Sequence, residues 1–186
     1  LFATGVAQVA LADNALAYRI QQGGLSGAAM MSFDGGTPSS ANRFMGVNAI
    51  YRGERFSVGA GYNTRKNELG VTALESGILG ATLDIGPGKA SALVGSIKDD
   101  HPAGLSGIPA GVLQDAFIRA LRQDARLYNV GYTLVTGALT SYVSYSKFND
   151  RGPANADVSS YGVAYSYALS KRTDINAVLA RIENKG

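Results

Sequence analysis

The chain has 186 residues, with 17 Lys and Arg against 14 Asp and Glu, 24 glycines and 10 tyrosines, and neither cysteine nor tryptophan. Lacking cysteine, it has no disulfide scaffold and no thiolate metal site. Its 46% hydrophobic content excludes wholesale disorder, and no run nears the ~18 consecutive apolar residues of a membrane helix.

Ten segments alternate apolar and small or polar residues at period two, the signature of strands with two unlike faces. In order they are about 14–22, 25–33, 43–52, 55–65, 73–85, 89–98, 126–135, 138–148, 158–169 and 173–183. In the fourth, Phe56, Val58, Ala60 and Tyr62 share one face, and Ser57, Gly59, Gly61 and Asn63 the other. In the ninth, Tyr161, Val163, Tyr165, Tyr167 and Leu169 oppose Ser160, Gly162, Ala164, Ser166 and Ala168. All the tyrosines fall within these segments, and Pro38, Pro87, Pro102, Pro109 and Pro153 all fall between them. Proline belongs there, because it cannot donate to a strand ladder.

Connections alternate in length. Gly23-Gly24, Gly53-Glu54, Gly86-Pro87-Gly88, Thr136-Gly137 and Ser170-Lys171-Arg172 read as tight hairpin turns. Those near 34–42, 66–72, 99–125 and 149–157 are longer. Strands near ten residues, with short turns at one end and long loops at the other, are the layout of an all-β transmembrane antiparallel up-and-down barrel. The whole chain, 1–186, then forms one β-barrel domain. A soluble antiparallel sheet, lectin- or adhesin-like, is the competing reading, but such sandwiches use strands of about 5–6 residues.

The long loop 99–125 predicts one helix, 111–124. Val112, Leu113, Ala116, Phe117, Ala120 and Leu121 form an apolar stripe, and Gln114, Asp115, Arg119 and Arg122 lie opposite. The spacing suits a helix packed on the barrel rim or neighbouring loops better than a pore-capping or partner-binding element.

Alternation also sorts charges. With Leu16, Tyr18 and Ile20 facing lipid, Arg19 points inward; an arginine on the lipid face at mid-depth would cost about 2–4 kcal/mol. By the same count Arg55, Asn63 and Arg65 lie inside or at the rims, with Arg55 at the short-turn mouth. Arg65, Lys66 and Arg126 lie toward the outer mouth. The predicted pore-lining set is Arg19, Arg55, Asn63, Arg65 and Arg126, which favours weak anion preference.

No chemistry competes strongly. His101 is the only histidine and follows Asp99 and Asp100 in a loop, a setting more often solvated than metal-binding. Gly86-Pro87-Gly88-Lys89 lacks the earlier glycine and the following Ser/Thr of a phosphate loop. One histidine and no Gly-x-Ser-x-Gly elbow give an outer-membrane barrel enzyme little support, so no enzymatic activity is expected. No cofactor is implied, and a net charge of +3 is too mild and scattered to point to nucleic acid.

Several segments resemble the general porins of Gram-negative bacteria, the betaproteobacterial kind in particular. Tyr165-Ser-Tyr-Ala-Leu-Ser-Lys-Arg-Thr-Asp174 resembles the turn between two late strands and is the sharpest match. Ala12-Asp13-Asn14-Ala15-Leu16-Ala17-Tyr18 resembles the strand after the constriction loop, and Leu79-Gly80-Ala81-Thr82-Leu83-Asp84-Ile85-Gly86 a strand-to-turn segment. Asn149-Asp150 and Asn184 sit where such strands end in loops. The resemblance implies a trimeric outer-membrane channel of about sixteen strands, set among lipid and lipopolysaccharide, passing small hydrophilic solutes and ions. It also implies that the first strands and the C-terminal strand lie outside this sequence, and that Leu1-Phe2-Ala3-Thr4-Gly5 is part of the inward loop.

Overall fold

Period-two alternation becomes a single sheet. A computed structural model describes residues 14–33, 41–105, 107–152 and 155–185; the expectation for Leu1–Gly5 lies outside them. The strands are β1 (Ala15–Gln22), β2 (Leu25–Ser32), β3 (Phe44–Arg52), β4 (Phe56–Lys66), β5 (Thr72–Ile85), β6 (Gly88–Asp99), β7 (Gln123–Thr136), β8 (Leu139–Asp150), β9 (Asp157–Ser170) and β10 (Thr173–Lys185). The helix α1 (Val112–Leu121) precedes β7. Each strand pairs antiparallel with the next, giving a ten-stranded meander in sequence order. Among the described residues β1 and β10 are its two edges.

Turn chemistry fixes the short connections. Gly23, Gly86 and Gly137 adopt φ of 54°, 57° and 61°, a left-handed conformation that glycine enters without a Cβ penalty. The Ser170 hydroxyl closes the last turn by accepting the Arg172 N–H at 3.2 Å.

The sheet is apolar on its outside. Only Ala41, Phe44, Ala73, Leu105 and Ala125 are buried apolar residues among those described. Phe56, Val58 and Tyr62 are exposed while the intervening Ser57, Gly59 and Gly61 are half-buried. Directly paired residues share a face, so the ladder carries this division across the sheet. The row Leu25–Tyr51–Val58–Ala81–Ala92–Val130–Tyr145–Tyr161–Arg181 is outward throughout. The row Arg19–Ala28–Asn48–Gly61–Ile78–Gly95–Leu127 lies on the opposite, inner face.

Register also gives the tilt. The outward row lies about two residues from its short turn at Leu25 and about nine at Arg181, so it climbs about one residue per strand; at ~3.4 Å per residue and ~4.8 Å between strands the tilt is about 35°. That is the tilt of a barrel wall crossing a bilayer.

Outward tyrosines form two belts. Near the short turns stand Tyr165, Tyr167 and the Tyr51–Phe56 pair, whose ring centroids are 5.8 Å apart. Toward the long loops stand Tyr62, whose hydroxyl donates to Glu75 Oε1 at 3.1 Å, and the Tyr145–Tyr161 pair at 5.0 Å. Amphipathic rings at both edges of an apolar band suit two membrane–water boundaries.

The helix is shorter than 111–124. Arg122 turns out to ψ 135° while its N–H still closes on the Ile118 carbonyl at 2.9 Å, and Gln123 already pairs with Asp99 in β7. The apolar stripe is not covered. Val112 is 83% exposed and no residue of α1 is buried. The helix is held from its other side, where Gln114 Nε2 donates to the carbonyls of Leu105 (3.2 Å) and Ile108 (2.9 Å).

Candidate pore-lining surface

Small side chains recur along the inner face, interspersed with larger residues such as Ile78, Leu93 and Leu127. Ser57, Gly59, Gly61 and Asn63 on β4 continue into Thr82, Gly80 and Ser76 on β5, then Ser91 and Gly95 on β6, and Asn129 and Gly131 on β7. Their polar atoms bond across strands: Ser57 and Thr82 hydroxyls lie 2.8 Å apart, and Asn129 Nδ2 donates to Ser146 Oγ at 2.8 Å. Such a surface offers hydrogen bonds to water and little bulk to fill an interior.

The residues picked out from sequence separate into three groups. Arg19, Asn63 and Arg65 lie on the inner face: Arg19 is opposite Ala28, Asn63 between Gly46 and Ser76, and Arg65 between Phe44 and Leu74. Arg55 stands in the β3–β4 turn, where its carbonyl accepts the Asp84 N–H at 2.8 Å. Arg126 is a correction. It pairs with Ser96 and Asn149 and shares the outward face with Tyr128, Val130 and Tyr132. It escapes the cost of mid-membrane charge by height rather than by facing inward, being about eleven residues above the Gly137 turn.

Two inner-face cations were not picked out. Arg52 follows Asn48 and Ile50 in parity and donates from Nη1 to Ser26 Oγ at 3.3 Å. Lys89 lies opposite Asp84 and pairs with it at 3.4 Å. Parity from Tyr51 places Arg52 inward, and parity from Ala90 and Ala92 places Lys89 inward. Of the inner-face acids, Asp84 is matched by Lys89, Asp99 and Asp150 close the outer ends of β6 and β8, and Asp174 sits by the last short turn. Arg19 is thus the charge standing at middle depth, and among the described residues it makes no ion pair.

The outer rim is organised by side chains capping loops. Asn67 is 6% exposed. Its Oδ1 accepts the N–H groups of Leu69 and Val71, each at 3.0 Å, and its Nδ2 donates to the His101 carbonyl at 3.4 Å. Glu68 Oε2 accepts the Gly104 N–H at 2.9 Å. The β4–β5 turn thereby holds the long loop down. Asn67→Ala is expected to cost about 1 kcal/mol and to speed limited proteolysis within 100–111; unchanged cleavage would refute the tether. Asp100 joins Lys98 Nζ and Arg122 Nη2, both at 2.6 Å, and its carboxyl is held below the usual value by the Lys98 hydrogen bond and, secondarily, the Arg122 charge. His101 donates its N–H to Asp99 Oδ1 at 3.1 Å, a local turn contact. Among the described residues no group of three His, Asp or Glu is placed to hold a metal.

Comparison with known proteins agrees with this architecture. The family model for Gram-negative porins matches residues 2–186. Among solved structures, the anion-selective porin from Comamonas acidovorans is 22% identical with a TM-score of 0.73, covering 94% of this chain and 50% of that one. The trimer form of OmpT, an outer membrane protein of Vibrio cholerae, is 14% identical with a TM-score of 0.70, covering 97% and 57%. A Rhodopseudomonas blastica porin variant is 15% identical with a TM-score of 0.62, covering 93% and 54%. At these identities the likeness is one of fold, and the chain spans about half the length of each. No curated protein matches it. The chain belongs to the Gram-negative porin family, whose place is the bacterial outer membrane.

Proposed function

We propose that this chain forms part of the wall of a water-filled channel that lets small hydrophilic solutes and ions diffuse passively across the outer membrane, with a weak preference for anions. The observation that carries the reading is the inversion of the sheet: apolar and aromatic residues outside, Gly, Ser, Thr and Asn inside. An inner face so rich in small residues leaves a closed barrel with unfilled space, and its polar atoms favour water there. Anion preference is supported by Arg19 at middle depth, where the surrounding low dielectric strengthens its field, while rim charges are screened by salt within about 8–10 Å. The named selectivity of the Comamonas porin is in keeping with it.

Assembly as a homotrimer belongs to the same proposal, as does contact of the outward cations Arg126 and Lys147 with lipopolysaccharide phosphates at the outer boundary. Planar-bilayer recording tests the channel: stepwise conductance is expected, and its absence from well-folded protein would end the reading. Under a salt gradient, Arg19→Glu is expected to move the reversal potential toward cations. An unchanged anion-to-cation ratio would remove Arg19 from the selectivity determinants. Gel migration before and after boiling reads the trimer.

A further inference from the structure

At the rim, a cavity of about 390 Å³ is lined by the C-terminal end of α1 and by the outer ends of β6, β7 and β8. Its strand lining is apolar in part: Ile97, Ala125 and Phe148 all carry inner-face parity, with Ile97 paired to Ala125 and Ala125 to Asp150. The helix end contributes Arg119 and Ala120, and Arg122 follows it. The volume lies at the small end of the ~300–1,000 Å³ occupied by small-molecule sites.

Most of the charges around it are committed. Arg122 is bound to Asp100 at 2.6 Å, and Asp124 faces Arg151 at 3.8 Å. Asp150 accepts the N–H groups of Gly152 (2.8 Å) and Ala156 (2.9 Å). Arg119 differs: it lines the cavity and makes no ion pair among the described residues. A cation entering the cavity would meet acids already satisfied and an arginine beside it. An anion with an apolar body would find both a guanidinium and the Phe148 ring in the same lining.

We infer that this cavity is a capture site for a small amphipathic carboxylate, the carboxylate taken by Arg119 and the apolar body laid over Ile97, Ala125 and Phe148. The placement of the site at a channel entrance rests on the proposed function; its chemistry does not. Binding there is weak, because the cavity is open and a solute must leave it to permeate. Benzoate is a suitable probe, with benzamide as the uncharged match and acetate as the carboxylate without a body.

Titration of the detergent-solubilised protein by calorimetry or ligand-observed NMR is expected to show millimolar benzoate binding, with benzamide and acetate each weaker. Arg119→Gln is expected to weaken benzoate about tenfold, the scale of a lost charge-assisted hydrogen bond, and Arg119→Lys to restore part of it. Phe148→Ala is expected to weaken benzoate and leave acetate unchanged. Benzoate binding unaltered by Arg119→Gln, or matched by benzamide, overturns the site. Arg119 is exposed on α1, so its replacement leaves the fold intact. Ion conductance measured on the same variants separates the two ideas: conductance with no Arg119-dependent binding removes the site alone, and no conductance removes the channel reading alone.

Discussion

Val130→Arg is expected to destabilise the membrane-inserted fold by about 2–4 kcal/mol, the cost of arginine on a lipid-facing strand at mid-depth. Val130 is 52% exposed, faces outward between Tyr128 and Tyr132, and lies in the row Ala92–Val130–Tyr145. Its outward neighbours Ala92, Tyr128, Tyr132 and Tyr145 bring it no acidic partner. The neighbouring Asn129 has the opposite parity and bonds inward to Ser146 at 2.8 Å. Asn129→Arg therefore adds the same charge one residue away at the cost of its hydrogen bonds to Ser146 Oγ and the Tyr145 carbonyl (3.4 Å), about 1 kcal/mol. Urea titration in lipid vesicles reads both. Equal destabilisation by the two variants would mean that the two faces are wrongly assigned.

Gly24→Ala is expected to cost about 2–3 kcal/mol through overpacking against backbone that has no room to move. A Cβ on Gly24 would stand 2.2 Å from the Arg52 carbonyl oxygen, while the Arg52 N–H donates to the Gly24 carbonyl at 2.8 Å. The β1–β2 turn is thereby pressed onto the end of β3. Its neighbour Gly23 has φ 54° and open space around it. Gly23→Asn, which tolerates the left-handed region, should change stability little. The same titration separates them, and a Gly24→Ala midpoint equal to wild type would show that the hairpin has slack.

The strands were legible because their rule is local. Alternation marks a strand wherever one face meets lipid and the other water, and glycine and proline mark the ends. All ten strands and all five short turns follow from it. The end of α1 was not legible, since Gln123-Asp124-Ala125 fits a helix as well as a strand and only pairing with Asp99, Lys98 and Ile97 decides it. The inner wall was legible where it is small and obscure where it is not. Ile78, Leu127 and Phe148 share the inner row with Gly61 and Gly95, and they lie toward the loop end, where the cavity beside α1 uses Phe148. Arg126 has the parity of Tyr128 and Val130, so alternation already placed it outward; only its position near the strand end made an inward reading inviting. A charge near a strand end is tolerated on either face. The stripe on α1 shows the opposite limit: helical periodicity was clear, but the loop it docks through is gripped by Gln114.

The oblique climb of the ladder has a consequence for the membrane around the protein. Outward charges such as Lys98, Glu75, Arg126 and Lys147 begin about ten residues above the short turns, so at ~3.4 Å per residue and a tilt of about 35° the apolar belt is about 28 Å tall. An average bilayer core of about 30 Å exceeds that belt by only about 2 Å, and the bacterial outer membrane is thinner than average, so the belt fits it with little distortion; a thicker bilayer would have to thin locally, at fractions of a kcal/mol per Å. The protein's outer surface is thus a gauge of bilayer thickness, and hydrophobic mismatch disfavours its residence in a thicker membrane.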